Sequence, residues 1–327
     1  MSDVLAYIAG AIPGRPGRRR ASPAIGALAT LVVLVAANTI YTPHFATASN
    51  LWNILVQVSS VTLVAVGMTF VIATGGVDLS VGSVMAIAGA VAAVQMEHGM
   101  IVALVTALGG ALAAGLLNGV LVARDRGGRS PQPIVVTLAM LIAGRGLAQI
   151  ISHDGQLISI SDAAFETLGR GHIGLVPAPV VVAGAVAAAA VVVLRVTAFG
   201  RYVLAVGGNR VAARLAGVPV WQTLVAVYAL SAVLAGVAGI LEVSRTGASD
   251  AAKLGWGIEL DAIAATVVGG TALTGGRVTI VGTVIGALVM QVIATSVNML
   301  LIPYAWSLAL TAAIIVVAVY VQRPRRV

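Results

Sequence analysis

The chain has 327 residues, of which 59% are hydrophobic and only 9% charged, with a net charge of +8 and no cysteine. Roughly a quarter of the residues in a soluble domain are charged, so a soluble globular protein and a disordered chain are both excluded. The cysteine count excludes disulfides, Cys-ligated zinc, iron–sulfur clusters and a thiol nucleophile.

The charge-free runs are more telling than the averages. No Asp, Glu, Lys or Arg occurs in Ala21–Val77, Leu79–Met96, Gly99–Ala123, Gly171–Leu194, Leu215–Leu241 or Val278–Gln322. An apolar run of about 18 residues is long enough to cross a bilayer as a helix. The strands of an outer-membrane barrel are shorter and alternate in polarity. The fold class is therefore all-α, a polytopic membrane helix bundle of about ten segments with broken or re-entrant members. The predicted segments are 24–41, 53–74, 80–96, 101–123, 134–152, 174–194, 222–244, 262–274, 279–300 and 304–321. The eighth is too short for a full crossing and reads as a broken or re-entrant helix. Residues 1–23 and 323–327 read as tails flanking a membrane domain over 24–322.

The tail Met1–Pro23 does not read as a signal peptide, because its apolar stretch precedes the basic cluster Arg15, Arg18, Arg19 and Arg20. Basic residues mark the cytoplasmic side of membrane proteins. With the N-terminus inside, fifteen basic residues fall on inside segments, while Arg170, Arg245 and Lys253 fall outside. The expectation is both termini cytoplasmic and an even number of crossings. Arginines at span ends are topology signals, and no nucleic-acid partner is expected. His44, His98, His153 and His172 lie on separate outside loops, so no metal site is expected.

The second segment, 53–74, leads to Gly75-Gly76-Val77-Asp78-Leu79-Ser80-Val81-Gly82. A related string ends the eighth segment, Gly269-Gly270-Thr271-Ala272-Leu273-Thr274-Gly275-Gly276. The chain thus carries two related halves. Transporters built from such repeats break their helices at the substrate path, and paired glycines permit the break. Gly75, Gly76, Asp78, Ser80, Gly269, Gly270 and Thr274 are therefore candidate pathway residues. Read more plainly, the first string is a tight turn with Asp78 or Ser80 capping the next helix, and Asp261 is a cap of the same kind.

Arg145 lies midway along its span, where a charge costs about 2.5–3.5 kcal/mol. It must face the bundle and find backbone carbonyls or an acid such as Asp78, Glu259 or Asp261. It then either fixes packing or lines the path. Glu259 and Asp261 precede the eighth segment, as solvated caps or as a pair at the outer mouth that binds hydroxyl-rich solutes.

The longest inside connection runs from Arg195 to Pro219. Asn209 can cap a short helix that presents Ala212, Ala213 and Leu215 on one apolar strip toward a partner, and Gly217 can end it. This basic helix either rests on lipid headgroups or docks on a soluble partner. The only lysine, Lys253, is not in a Gly-Lys-Ser/Thr loop, so the chain cannot hydrolyse ATP by that machinery. No metalloprotease or nucleophile-elbow motif is present either, and an enzyme is not expected.

Together these strings resemble the permease subunit of ribose-type ABC sugar importers, a bacterial inner-membrane family. The resemblance covers about residues 24–322. Its strongest segments are Gly67-Met68-Thr69 through Gly82, then Gly200-Arg201 through Gly207-Gly208-Asn209 with Ala212-Ala213 and Gly217, then Glu259 through Gly270. Gln132-Pro133 and Arg145-Gly146 fit as well. Ala73-Thr74-Gly75-Gly76, Ala143-Gly144-Arg145-Gly146 and Gly247-Ala248-Ser249-Asp250 look most like the galactofuranose-type branch. Val77 and Arg277 depart from the commonest pattern, and Arg277 adds a charge near the inner mouth.

The resemblance implies a heteromeric importer of a pentose or hexose. Two permease subunits, like or unlike, form the path, and an extracytoplasmic sugar-binding protein delivers the solute. Nucleotide-binding subunits bind ATP and Mg, so this chain carries no cofactor. Gly200, Arg201, Gly208, Asn209, Ala212, Ala213 and Gly217 would then belong to the coupling segment that sits on the ATPase. The alternative class is an ion-coupled secondary transporter of a small polar solute. It is disfavoured because the spans lack the buried acids and histidines of proton relays.

Overall fold

The computed structural model describes residues 23–124 and 132–303, together with positions 305, 306, 309, 312, 313 and 316 of the last segment. Most of the predicted segment 304–321, the tails 1–22 and 317–327, and Arg126 and Arg129 lie outside the described residues.

Twelve α-helices follow one another among the described residues. They are α1 (Pro23–Tyr41), α2 (Ala48–Ala73), α3 (Val81–Gln95), α4 (Met100–Ala123), α5 (Pro133–Ile151), α6 (Ala163–Arg170), α7 (Ala178–Val196), α8 (Ala198–Gly208), α9 (Arg210–Leu215), α10 (Val220–Thr246), α11 (Ile258–Val268) and α12 (Ile280–Met299). Eight of these, counting α3 with the short turn of 3-10 helix that extends it, are long and apolar enough to cross a membrane. They match eight of the ten predicted segments. The chain is a multi-pass membrane protein.

The predicted segment 262–274 differs in its bounds. The helix there is α11, which starts at Ile258 and stops at Val268. Gly257 before it and Gly270 after it both have positive φ, 77° and 91°, a conformation that suits glycine and interrupts a helix. Asp261 therefore lies inside the first turn of α11 and is not its cap.

Helices α2, α3 and α10 form the centre. Leu63, Phe70, Val81, Val84, Val227 and Tyr228 are buried there. The outer helices carry large apolar residues on exposed faces, including Val33, Ile101, Ile142 and Val196. Such faces suit hydrocarbon, where helices satisfy their own backbone.

Small residues set the spacing. A Cβ built on Gly115 of α4 would lie 2.5 Å from Ala232 Cβ and 2.8 Å from the Tyr228 carbonyl oxygen of α10. One on Gly119 would lie 2.7 Å from Val225 Cα, and one on Gly239 would lie 2.4 Å from the Met85 carbonyl oxygen of α3. In lipid no hydrophobic force drives helices together, so close packing supplies much of the association.

One end of the bundle carries a small ordered cap between α5 and α7. Asp162 accepts from Phe165 N at 2.7 Å and starts α6. Phe165 is fully buried. Ser244 Oγ receives Gly169 N at 2.7 Å and donates to the Phe165 carbonyl at 2.6 Å, fastening α6 to α10. Strand β1 (Ile158–Ser159) pairs antiparallel with β4 (Ala248–Ser249), and β2 (His172–Ile173) with β3 (Val176–Pro177).

The α4–α10 contact gives a first prediction. Gly115→Val should lower the thermal unfolding midpoint of the detergent-purified chain, because overpacking costs about 1–3 kcal/mol. Gly109→Ala, with open space at its Cα, should leave it unchanged. Equal midpoints for the two variants would contradict the packing described.

Candidate functional site

The two helix breaks predicted from the repeat meet in space. Helix α2 ends at Ala73, and Gly75 takes φ 79°. Helix α11 ends at Val268, and the chain turns through Gly270, Gly275 and Gly276, all at positive φ, before α12. Gly276 N donates to the Ala73 carbonyl at 2.9 Å. A Cβ on Gly275 would lie 2.9 Å from Gly75 N and 3.2 Å from the Ala73 oxygen.

A third segment joins them. A Cβ on Gly207, near the end of α8, would lie 1.7 Å from the Ala73 oxygen and 2.7 Å from Gly276 N. Three stretches of bare backbone therefore pack on one carbonyl. The family resemblance points to Gly208 instead, where a Cβ would meet open space. The pattern Gly-Gly does not by itself say which glycine is pressed against a neighbour.

Higher in the bundle the same two arms are fastened side by side. Thr69 and Thr283 share a buried hydrogen bond of 2.9 Å. Cβ atoms on Gly282 and Gly286 would lie 1.9 Å and 2.0 Å from the carbonyl oxygens of Gly269 and Ala265.

Asp78 and Ser80 are together but turned into packing. Asp78 Oδ1 accepts from Ser80 N at 3.0 Å and from Ser80 Oγ at 2.6 Å, and Oδ2 accepts from Ser231 Oγ at 3.2 Å. Asn118 Nδ2 donates to Ser80 Oγ at 2.8 Å. The carboxyl is 1% exposed and ties the start of α3 to α4 and α10. Gly76 lies against the Tyr228 hydroxyl, and Thr274 is exposed at the second turn.

Arg145 finds carbonyls rather than Asp78. Its Nη1 donates to the Ala251 oxygen at 3.0 Å and to the Leu254 oxygen at 2.6 Å, and its guanidinium lies 5.9 Å from the Trp256 ring centre. It holds the 250–257 turn. Its positive charge also favours the ionised form of Glu259, but burial dominates and pushes that carboxyl up. Glu259 Oε2 is buried without a hydrogen-bond partner among the described residues, and faces the backbone at Gly82. Asp261 is pushed up to about 6, first by burial and then by the Glu259 charge.

A cavity of about 420 Å³ opens at the capped end. Its polar lining comes from Gln57 and Ser60 of α2, Glu242, Arg245 and Thr246 of α10, Asp250 and Lys253 of the turn after it, Asp261 of α11 and Gln291 of α12. Of the ten predicted pathway residues, only Asp261 lines it. Glu242 and Arg245 form an ion pair, and Ser60 Oγ donates to Glu242 Oε2 at 3.4 Å. In the sequence Arg245 reads only as a topology signal, and no motif marks Gln57 or Gln291. Their signal, polar residues inside charge-free spans, was available but has no period or motif.

At the opposite end, Asn209 Oδ1 accepts from Ala212 N at 2.9 Å and starts α9. Gly217 ends it with φ 77°. Gly200 packs on the carbonyls of Val193 and Leu194, and Arg201 Nη1 donates to the Val196 carbonyl at 3.3 Å. Ala213 is 5% exposed and packs with Ala123, Val206, Val220 and Leu224. The expected strip of Ala212, Ala213 and Leu215 is thus split: Ala213 anchors the helix inward, while Val211, Ala212 and Leu215 face outward. A six-residue helix has one inner position per turn, and Ala213 occupies it.

The bundle thus has a polar cavity at one end, with paired helix breaks and a short exposed helix toward the other. A family model described as a branched-chain amino acid transport system / permease component matches residues 50–319. The chain belongs to this family. It is 40% identical over 304 residues to the ribose import permease protein RbsC of Escherichia coli (strain K12), covering 91% of this chain and 93% of the relative. It is 36% identical to the galactofuranose transporter permease protein YtfT of the same strain, covering 91% of this chain and 89% of the relative. It is 37% identical to the L-arabinose ABC transporter permease protein AraH of Azospirillum brasilense, with 92% and 88% covered. No solved structure matches the chain. The family is one of permease components, and the chain is not an enzyme.

At Ala73, α8 touches both breaks through bare backbone. Gly207→Ala should abolish transport, since its methyl has no room, while Gly208→Ala should transport like the wild type. Uptake of radiolabelled solute in cells, normalised to membrane-inserted protein, checks this pair. Wild-type uptake by Gly207→Ala would remove the junction from the mechanism.

Proposed function

We infer that the chain is the membrane subunit of an ATP-binding-cassette importer and forms the path for a monosaccharide, a pentose or hexose. The observation that carries this reading is the 34–40% identity to ribose permeases along nearly their whole length. The family description names branched-chain amino acids, but the relatives named above carry the names of sugars. The energy must come from elsewhere. A P-loop is absent from the sequence, so a separate nucleotide-binding subunit binds ATP and Mg.

The partners follow from this reading. An extracytoplasmic sugar-binding protein delivers the solute at the capped end, over the cavity. The ATPase docks on α8 and α9 at the other end. A second permease subunit, like or unlike, and membrane lipid cover the exposed apolar faces. The basic residues favour α8 and α9 on the cytoplasmic side, with both termini inside a bacterial inner membrane and the permease domain spanning 24–322. Along this path, Gly75, Gly76, Asp78, Ser80, Gly269, Gly270 and Thr274 form or brace the breaks. Arg145, Glu259 and Asp261 shape the outer turn. Among sugars, the galactofuranose-like strings around Gly75, Arg145 and Gly247 make furanose forms worth testing beside ribose.

Exposure on α9 selects the docking residues. Val211 is 70% and Leu215 is 85% exposed, large apolar groups on a polar end where a partner would cover them. Leu215→Glu should abolish ATP-dependent uptake and co-purification of the ATPase, with membrane insertion unchanged. Ala213→Glu should instead lower the amount of folded chain, because it buries a charge in the chain's own core. Uptake by Leu215→Glu that needs no ATP and collapses with the proton gradient would favour the secondary carrier.

Orientation is tested by Ser161→Cys in this cysteine-free chain. A membrane-impermeant maleimide should label it from outside intact cells. Labelling only from the cytoplasmic side would invert the topology.

A further inference from the structure

The cavity at the capped end has a division of hydrogen-bonding groups that its place in a permease does not require. Gln291 is 8% exposed. Its Nε2 donates to Gln57 Oε1 at 3.1 Å and to Thr295 Oγ1 at 3.2 Å. Gln57 Nε2 and Gln291 Oε1 are left without a protein partner among the described residues, one a donor and one an acceptor. Arg245 holds Glu242 from two sides, with Nη2 on Oε1 and with Nε on Oε2 at 3.3 Å, which fixes the carboxylate rotamer. Asp261 donates its backbone N–H to the Gly257 carbonyl at 3.3 Å, while its carboxylate has no hydrogen-bond partner among the described residues and lines the same space.

The charges nearly cancel. Glu242 is paired with Arg245, and Asp250 with Lys253 at 3.4 Å. Only Asp261 is left over. Such a lining repels anions and offers no second free carboxylate for a multivalent cation. Donors and acceptors set side by side suit a neutral solute whose every hydroxyl both donates and accepts. The volume of about 420 Å³ lies within the roughly 300–1,000 Å³ of small-molecule sites.

We propose that this cavity is a binding subsite for a neutral polyhydroxylated solute, a free monosaccharide, with the Gln57–Gln291 amide pair, Glu242 and Asp261 as its hydroxyl partners. The permease then selects its solute itself, in addition to any selection by a delivery protein. This rests on the sugar reading above for the choice of ligand, but it concerns equilibrium binding by this chain alone. A site that hydrogen-bonds hydroxyls discriminates against solutes lacking them, because its own buried groups are left unpaired.

The test uses the full chain purified in detergent. Saturation-transfer NMR reads the binding of D-ribose, L-arabinose and D-fructose, each against L-leucine. At least one sugar should give a saturable signal, and leucine none. Gln291→Leu and Asp261→Asn should each weaken sugar binding about tenfold, the loss of one good hydrogen bond. Asp261→Asn keeps the side-chain shape, and Thr106→Ala, on the exposed face of α4, should bind as the wild type does. Absence of sugar binding, binding indifferent to both cavity substitutions, or preferential binding of leucine overturns the proposal. ATP-driven uptake by the assembled transporter is a separate readout. Uptake with an empty cavity would leave the importer reading standing without the subsite. Sugar binding without ATP-driven uptake would leave the subsite standing without the importer.

Discussion

The Ala73 carbonyl is the point on which the rest of the structure depends. As the last residue of α2 it has no helical partner for its oxygen. Gly276 N supplies the hydrogen bond at 2.9 Å, and Gly207 lies against the same oxygen with no room for a methyl group. An unpaired carbonyl in a membrane interior costs several kcal/mol, so the three segments stay together. Only glycine allows the approach. A side chain at 207, 275 or 276 would push apart the first break, the second break and the end of α8.

That constraint explains why the two related strings are read so easily and why their role is not. Gly75-Gly76 and Gly269-Gly270 announce helix breaks because glycine is costly inside a helix and free to take positive φ. The spans are legible for the same local reason, since hydropathy is a sum over neighbours in sequence. The Asn209 cap and the Gly217 stop are equally local. What the sequence does not carry is partnership across distance. Gln57 meets Gln291 across 234 positions, and Ser60 meets Glu242 across 182. Arg145 had three plausible acids and took two carbonyls from a turn more than a hundred residues away. Ala213 was placed on an outer strip because a six-residue helix offers no period long enough to tell its inner face from its outer one.

Buried polar groups in the centre divide into two kinds. Asp78, Ser80, Asn118 and Ser231 bond to one another and hold three helices together, with only Asn118 Oδ1 of this group left without a partner among the described residues. A carboxylate so fully engaged has little left to offer a passing solute. Gln57, Gln291 and Asp261 keep unused donors and acceptors facing a cavity. In a low-dielectric interior a satisfied network stiffens the fold, and an unsatisfied one is expensive unless water or a ligand completes it.

The cavity and the junction are joined by rigid elements. Gln57 and Ala73 lie on one helix, α2, sixteen residues apart, about 24 Å at 1.5 Å per residue. Gln291 and Thr283 lie on α12, and Thr283 is bonded to Thr69 of α2. Helices α2 and α12 thus hold the cavity at one end and grip each other near the breaks. Helix α8 meets Ala73 and Gly276 together, through backbone contacts that have no side chains to absorb a displacement. Packed backbone is nearly incompressible, so the glycine junction and the cavity are joined mechanically: α2 and α12 meet at the Thr69–Thr283 contact and carry Gln57 and Gln291 beyond it.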